Sequence, residues 1–362
     1  MKSLKVEYFF VFTSVDSLFK VLLLRIDFGS AFRLAEQTQI LTLYLLKNRG
    51  MQNILFVLGG LVLLIAGGNW LLKSAVDLSL KLNIPKIVIG MTVVSFATSA
   101  PELIVSVNAA LDGFPDLALG NVVGSNIANL GLVLAITILL SSIDVRRSFY
   151  TTDWPVMMLA SLLFFFFIYF DGLLELYEGV IMIVFLFIFL VYLLRFQKKA
   201  VEEDVEPPAA MLPIWKTSLF LGLGGVALWG GSELLITGAV GLAQNFGVSE
   251  RIIAITVVSI GTSIPELAAS VIAIINKEKA ISLGNLIGSN IFNLLAVLGI
   301  TAIIKPIKVM DEGLLTNDIF WMLGISFLIL PLVFIPKGLR LGWRDGLILI
   351  GVYFTFVYIT VL

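Results

Sequence analysis

The chain has 362 residues, 59% hydrophobic and 14% charged, with 24 Lys+Arg against 25 Asp+Glu and neither His nor Cys. Soluble domains are about 25% charged, and a mean hydropathy of +1.04 is far above what a water-facing surface allows, which excludes a disordered chain, a fibrous chain and an ordinary soluble enzyme. Balanced charge gives no field to draw nucleic acid, and without thiol or imidazole there is no disulfide, no sulfur or imidazole metal site and no His-dependent triad, so any chemistry must use carboxylates and neutral oxygens.

Residues 1–50 mix apolar runs with Lys20, Arg25, Asp27, Arg33, Glu36, Lys47 and Arg49. No clean apolar stretch there spans roughly 30 Å of hydrocarbon, and no short apolar core leads to a small-residue cleavage site. The segment is expected to be an N-terminal extension, poorly ordered or amphipathic, with Met51 as the working start.

Apolar runs then predict ten spanning helices, at about 52–78, 85–110, 117–141, 153–170, 174–195, 216–243, 250–275, 281–304, 318–336 and 344–361. The longest connection, 196–215, carries Lys198, Lys199, Glu202, Glu203, Asp204, Glu206, Pro207 and Pro208, and reads as a linker between two five-helix halves, 51–195 and 216–362. With the start of the first helix outside, Lys and Arg in the connections divide 14 inside against 3 outside. The positive-inside rule therefore puts both ends of the core outside and the linker in the cytoplasm.

The halves repeat one another. TVVSFATSAPEL at 92–103 returns as TVVSIGTSIPEL at 256–267, and LGNVVGSNIANL at 119–130 returns as LGNLIGSNIFNL at 283–294, both at an offset of 164. Five spans per half would turn the second copy upside down in the membrane. The expected fold class is an all-α membrane protein of ten transmembrane helices as two inverted five-helix repeats.

Glu102 and Glu266 fall deep in apolar spans with no Lys or Arg nearby on the same helix. An ionised carboxylate there costs several kcal/mol unless it faces a cavity or a cation, so a mobile cation is the expected partner. Ser95, Ser99 and Glu102 share a helical face, Thr98 stands four residues before Glu102, and Ser259, Thr262, Ser263 and Glu266 repeat the pattern. Pro101 and Pro265 lack an N–H, which frees the carbonyls of Ala97 and Gly261. On the partner helices Asn121, Ser125 and Asn129 recur as Asn285, Ser289 and Asn293 at i, i+4, i+8. Gly120 with Gly124, and Gly284 with Gly288, have the spacing that lets helices approach closely. Such a pocket suits Ca²⁺, which takes six to eight oxygens, and could hold Na⁺ at several subsites. Zn²⁺ and Cu²⁺ would want the missing nitrogen or sulfur.

Blander readings stand beside these. The glutamates could pair with distant lysines, the hydroxyls could serve helix–helix hydrogen bonds, and Asn121 and Asn285 divide evenly between packing and ligation. Asp153 and Asn317 read as N-caps or first-turn acceptors of the fourth and ninth helices, and Asp77 as a partner of Lys73.

TSxPE followed by GSNxxN, twice, resembles the α-repeats of the calcium/cation antiporter superfamily, specifically the bacterial sodium/calcium exchanger family, over about 52–361. The resemblance implies exchange of Ca²⁺ for Na⁺ by alternating access, with the first two helices of one bundle and their repeat mates sliding past a core of the others. By motif position it implies ion ligands at Thr98, Ser99, Glu102, Ser125, Asn129, Thr262, Ser263, Glu266, Ser289 and Asn293, with backbone carbonyls possible at Ser95 and Ser259. Some members carry Asp where this chain has Asn293. The expected protein is no enzyme but an antiporter of the inner (plasma) membrane. Its partners would be Ca²⁺, Na⁺ and the bilayer, without cofactor or nucleic acid, and it would work as a monomer. Alternatives on the same residues are H⁺- or K⁺-coupled cation antiport and, further off, a passive cation channel or an intramembrane enzyme.

Overall fold

A computed structural model describes residues 28–196, 212–246, 261–335 and 338–361. The chain divides into two units, Met1–Ile54 and Leu55–Leu362. The described residues of the first unit are helical.

The elements in chain order are α1 (Phe28–Leu82), α2 (Lys86–Thr98), α3 (Ala100–Asp112), α4 (Pro115–Leu140), β1 (Ile143–Asp144), α5 (Phe149–Tyr169), β2 (Leu173–Leu174) and α6 (Leu176–Phe196). After the linker come α7 (Ile214–Asn245), α8 (Ile264–Ile275), α9 (Lys279–Ile304), β3 (Ile307–Lys308), α10 (Leu314–Phe334), β4 (Arg340–Leu341) and α11 (Trp343–Val361). Among the described residues seven helices are long and apolar enough to cross a membrane, or eight if α2 and α3, bent by 44°, count as one broken span. Ten were expected. The seventh expected span is described only from 261, where α8 supplies 12 residues.

Local sequence explains the breaks. α3 ends at Gly113, whose φ of +87° suits a glycine C-cap, and α4 begins on Pro115, where a missing N–H is harmless. The helices are joined at their ends by two short antiparallel pairs that the all-α expectation omitted. β1 pairs with β4 through Ile143↔Leu341 and Asp144↔Arg340, and β2 with β3 through Leu173↔Lys308 and Leu174↔Ile307.

The core lies around α4 and α9. Their apolar windows are 78% and 83% buried, against 28–39% for the other spans that pass alone. α4 packs on α3, and α9 on α2 and α8. Outside this core α1 and α7 cross at glycines: a Cβ on Gly60 would lie 2.7 Å from the Gly231 carbonyl oxygen, and one on Gly224 2.7 Å from the Leu71 nitrogen. Small residues let backbones approach this closely in a membrane. Asp77 is paired with Lys81 rather than Lys73, and Thr217 of α7 also bonds its carboxylate. Asp153 caps no helix. It stands in the wider first turn of α5, buried, with Trp154 following in helical conformation. Asn317 stands in the matching turn of α10, where its amide oxygen accepts from Trp321 Nε1 at 3.1 Å.

Candidate cation site

Two helix breaks position the site. The helix pair α2 and α3 breaks at Ser99 (φ −86°, ψ 0°), and the second repeat does the same at Ser263 (φ −87°, ψ 3°). Both residues sit in the sparsely allowed bridge region, where many active-site residues are found. Pro101 and Pro265 follow in the first turns of α3 and α8. The carbonyls they release belong to Ala97 and Gly261, and α7 lies across both. Ser232 Oγ donates to the Gly261 oxygen at 3.1 Å, and a Cβ on Gly225 would lie 3.9 Å from the Ala97 oxygen.

Glu102 and Glu266 occupy the first turns of α3 and α8 and are 0% exposed. A helix N-terminus favours negative charge there. Glu102 and Glu266 lie close enough to interact with one another, and the hydroxyls of Thr98 and Ser289 lie beside the Glu266 carboxyl. Neither oxygen of either carboxyl completes a hydrogen bond. The ion pairs among the described residues, Lys81–Asp77, Lys86–Glu278 and Arg340–Asp144, lie elsewhere.

The repeats interlock across the site. Thr98 Oγ1 and Ser289 Oγ are 3.2 Å apart, and Ser125 Oγ and Thr262 Oγ1 3.1 Å, the same contact with the halves exchanged. Of the ten side chains expected as ligands, nine are buried and Thr262 is half-buried. Eight of their oxygens have no hydrogen-bond partner: one each on Ser99, Asn129, Ser263 and Asn293, and two each on Glu102 and Glu266. A buried polar group left unpaired costs about 1–3 kcal/mol, and more when charged. Unpaired oxygens concentrated on these residues, with two acids among them, are groups that could serve as donors to a cation. Among the described residues no cluster of three or more His, Cys, Asp or Glu competes with it.

Other expected positions fare differently. The Ser95 carbonyl accepts the Ser99 amide at 2.9 Å, while its hydroxyl donates to the Gly90 and Asn285 carbonyls at 2.8 and 2.9 Å. Ser259 lies outside the described residues. Asn121 donates to Ser106 Oγ at 2.9 Å and Asn285 to Ser270 Oγ at 3.2 Å, again at the offset of 164, so both amides brace their helix pairs. Asn285 also accepts from Thr98 at 3.2 Å. At Gly284 and Gly288 an added Cβ would strike the Ile87 carbonyl and the Met91 backbone. Gly120 and Gly124 have nothing within 4 Å among the described residues.

Asn126 and Asn290 were missed as parts of the site. Asn126 Nδ2 donates to the Asn290 carbonyl at 3.2 Å, Asn290 Nδ2 returns the bond to the Asn126 carbonyl at 3.5 Å, and Asn129 Nδ2 donates to Asn290 Oδ1 at 3.2 Å. That last bond directs the Asn129 amide, leaving its oxygen unpaired. The signal was present, since both belong to the repeated GSN.

A helical membrane protein whose repeated halves close around buried, unpaired acids has the plan of a secondary transporter. The family model for the sodium/calcium exchanger protein matches residues 52–195 and 216–362. The chain is 38% identical to CaxA of Alkalimonas amylolytica over 84% of this chain and 97% of that one. It is 30% identical to the sodium/calcium exchanger MaX1 of Methanosarcina acetivorans, over 85% and 98%. A solved structure of the sodium-calcium exchanger NCX_Mj superposes with a TM-score of 0.72 at 26% identity, covering 85% of this chain and 98% of that one. The chain belongs to the sodium/calcium exchanger family and is a multi-pass membrane protein.

Proposed function

We propose that the protein exchanges Ca²⁺ for Na⁺ across the membrane by alternating access, with both ions competing for Glu102 and Glu266. The observation that carries this reading is the set of eight unpaired oxygens on the ten repeated residues, including two carboxylates that no basic side chain among the described residues balances. A divalent cation neutralises both acids, and neutral hydroxyl, amide and carbonyl oxygens complete the six to eight that Ca²⁺ takes. Thr98, Ser99, Ser125 and Asn129 would supply one half of the shell, and Thr262, Ser263, Ser289 and Asn293 the other. A Na⁺ load neutralises the same acids. An empty site retains its buried charge, which is costly to carry through a closed, dry state, so each load must be replaced before the site crosses. That gives obligatory exchange with no separate coupling device.

The wider plan goes with it: ten helices in two inverted repeats, core ends outside, linker 196–215 in the cytoplasm, and 1–50 as an appendage the function does not need. The test is Ca²⁺ uptake into proteoliposomes with Na⁺, K⁺ and H⁺ gradients imposed in turn. Uptake driven by an outward Na⁺ gradient supports the reading. Uptake driven only by K⁺ or H⁺ reassigns the coupling ion, and Ca²⁺ current with no counter-ion refutes exchange.

A further inference from the structure

Along α7 the ionisable side chains are Lys216, near its start, and Glu233. Glu233 is exposed. At 1.5 Å per residue it stands within about 5 Å of the midpoint of this helix, well inside a hydrocarbon slab about 30 Å thick. Its depth is tied to the cation site independently, because the preceding residue, Ser232, bonds the Gly261 carbonyl at 3.1 Å. Among the described residues no hydrogen bond or ion pair holds the Glu233 carboxylate. A carboxylate at that depth with no partner and no water would cost several kcal/mol, a cost that water reaching it would relieve.

We infer that Glu233 stands in a water-filled passage beside α7 and gathers cations there for the site. The gathering role rests on the exchanger reading above, whereas the passage does not. The same stripe of α7 continues through Trp229, Val226 and Gly222, which with Ala97 and Pro101 line a cavity of about 240 Å³. The stripe therefore runs from the Glu233 carboxylate toward the Ala97 carbonyl. Its wall is almost wholly apolar, so a cation meets no competing side-chain ligand on the way. At the offset of 164 the counterpart of Glu233 is Asn69, polar but uncharged, whose amide is held by the Ile65 carbonyl at 2.8 Å. The charge is thus present in one half alone, and the gathering acts from one face of the membrane.

The chain has no cysteine, so Glu233→Cys introduces a single thiol. In proteoliposomes we expect that variant to react with a membrane-impermeant cationic methanethiosulfonate from one face, far faster than Phe187→Cys, which replaces a residue 67% exposed on the apolar helix α6. Equal, slow reaction of the two overturns the passage. Glu233→Gln should raise the Ca²⁺ concentration for half-maximal uptake by about three- to tenfold at low ionic strength with the maximal rate kept. Glu233→Asp should restore it, and the difference should fade at high salt. An unchanged half-saturation in Glu233→Gln overturns the gathering role. Thiol reactivity needs no transport, so a reactive Glu233→Cys beside a wild-type chain that carries no Ca²⁺ upholds the passage and refutes the exchanger reading instead.

Discussion

Gly288→Ala tests whether close contact between α2 and α9 builds the site. A Cβ at position 288 would lie 2.6 Å from both Cα and O of Met91 and would also strike Ser95 Oγ. Ordinary contact begins near 3.4 Å, and the obstacle is backbone, so the helices must part by about 0.8 Å there. Ser289 is the next residue, and its contact with Thr98 is already 3.2 Å long. Parting by that amount carries it to about 4 Å, beyond hydrogen-bond reach. Overpacking costs about 1–3 kcal/mol, and the lost hydrogen bond about 0.5–1.5 kcal/mol. A total of about 1.5–4.5 kcal/mol should appear as an earlier unfolding midpoint in detergent. Because Thr98 and Ser289 flank the Glu266 carboxyl, half-saturation for Ca²⁺ should rise as well. Wild-type thermal stability together with wild-type uptake in Gly288→Ala would show that the two helices do not need this approach, and the argument from glycine spacing would fail.

Three further outcomes are expected. Glu102→Gln and Glu266→Gln should each abolish exchange while leaving a folded protein in detergent; normal uptake in either would remove the acid pair from the mechanism. Ca²⁺ at a hundred times its dissociation constant should stabilise the wild type by about 2.7 kcal/mol, read as a rise in unfolding temperature, and both Gln variants should lose that rise. Ser270→Ala strands the Asn285 amide, at about 1–3 kcal/mol. It should loosen α8 against α9 and lower the unfolding temperature more than Thr355→Ala, whose hydroxyl is exposed and bonds only within its own helix.

Much of the candidate site was legible because polar residues in an apolar chain cost free energy and a repeat in register marks them out. Glu102, Glu266 and the hydroxyls around them stood out for that reason. What the pattern could not convey was division of labour among amides. Asn121 and Asn129 share a helical face, yet Asn121 donates to a neighbouring serine while Asn129 keeps an oxygen unpaired. Asn126 and Asn290 lie on another face of their helices, off the stripe of Asn121, Ser125 and Asn129. Asp77 could have paired with a lysine four residues on either side, and only the approach of Thr217 from α7 singles out the Lys81 side. Asp153 read as a cap or a first-turn residue because the apolar run begins after it, and it stands in the first turn, since the turn before Trp154 is already helical. The β pairs are two residues long, too short to leave a period in the sequence.

The reciprocal bonds between Asn126 and Asn290 have one more implication. Each residue gives its amide to the other's backbone, as identical subunits do in an isologous dimer. A polypeptide of half this length could make that contact with a second copy of itself, using a single asparagine. Within one chain the contact is kept while the halves need not be identical, and here they differ: position 233 carries a carboxylate and position 69 an amide.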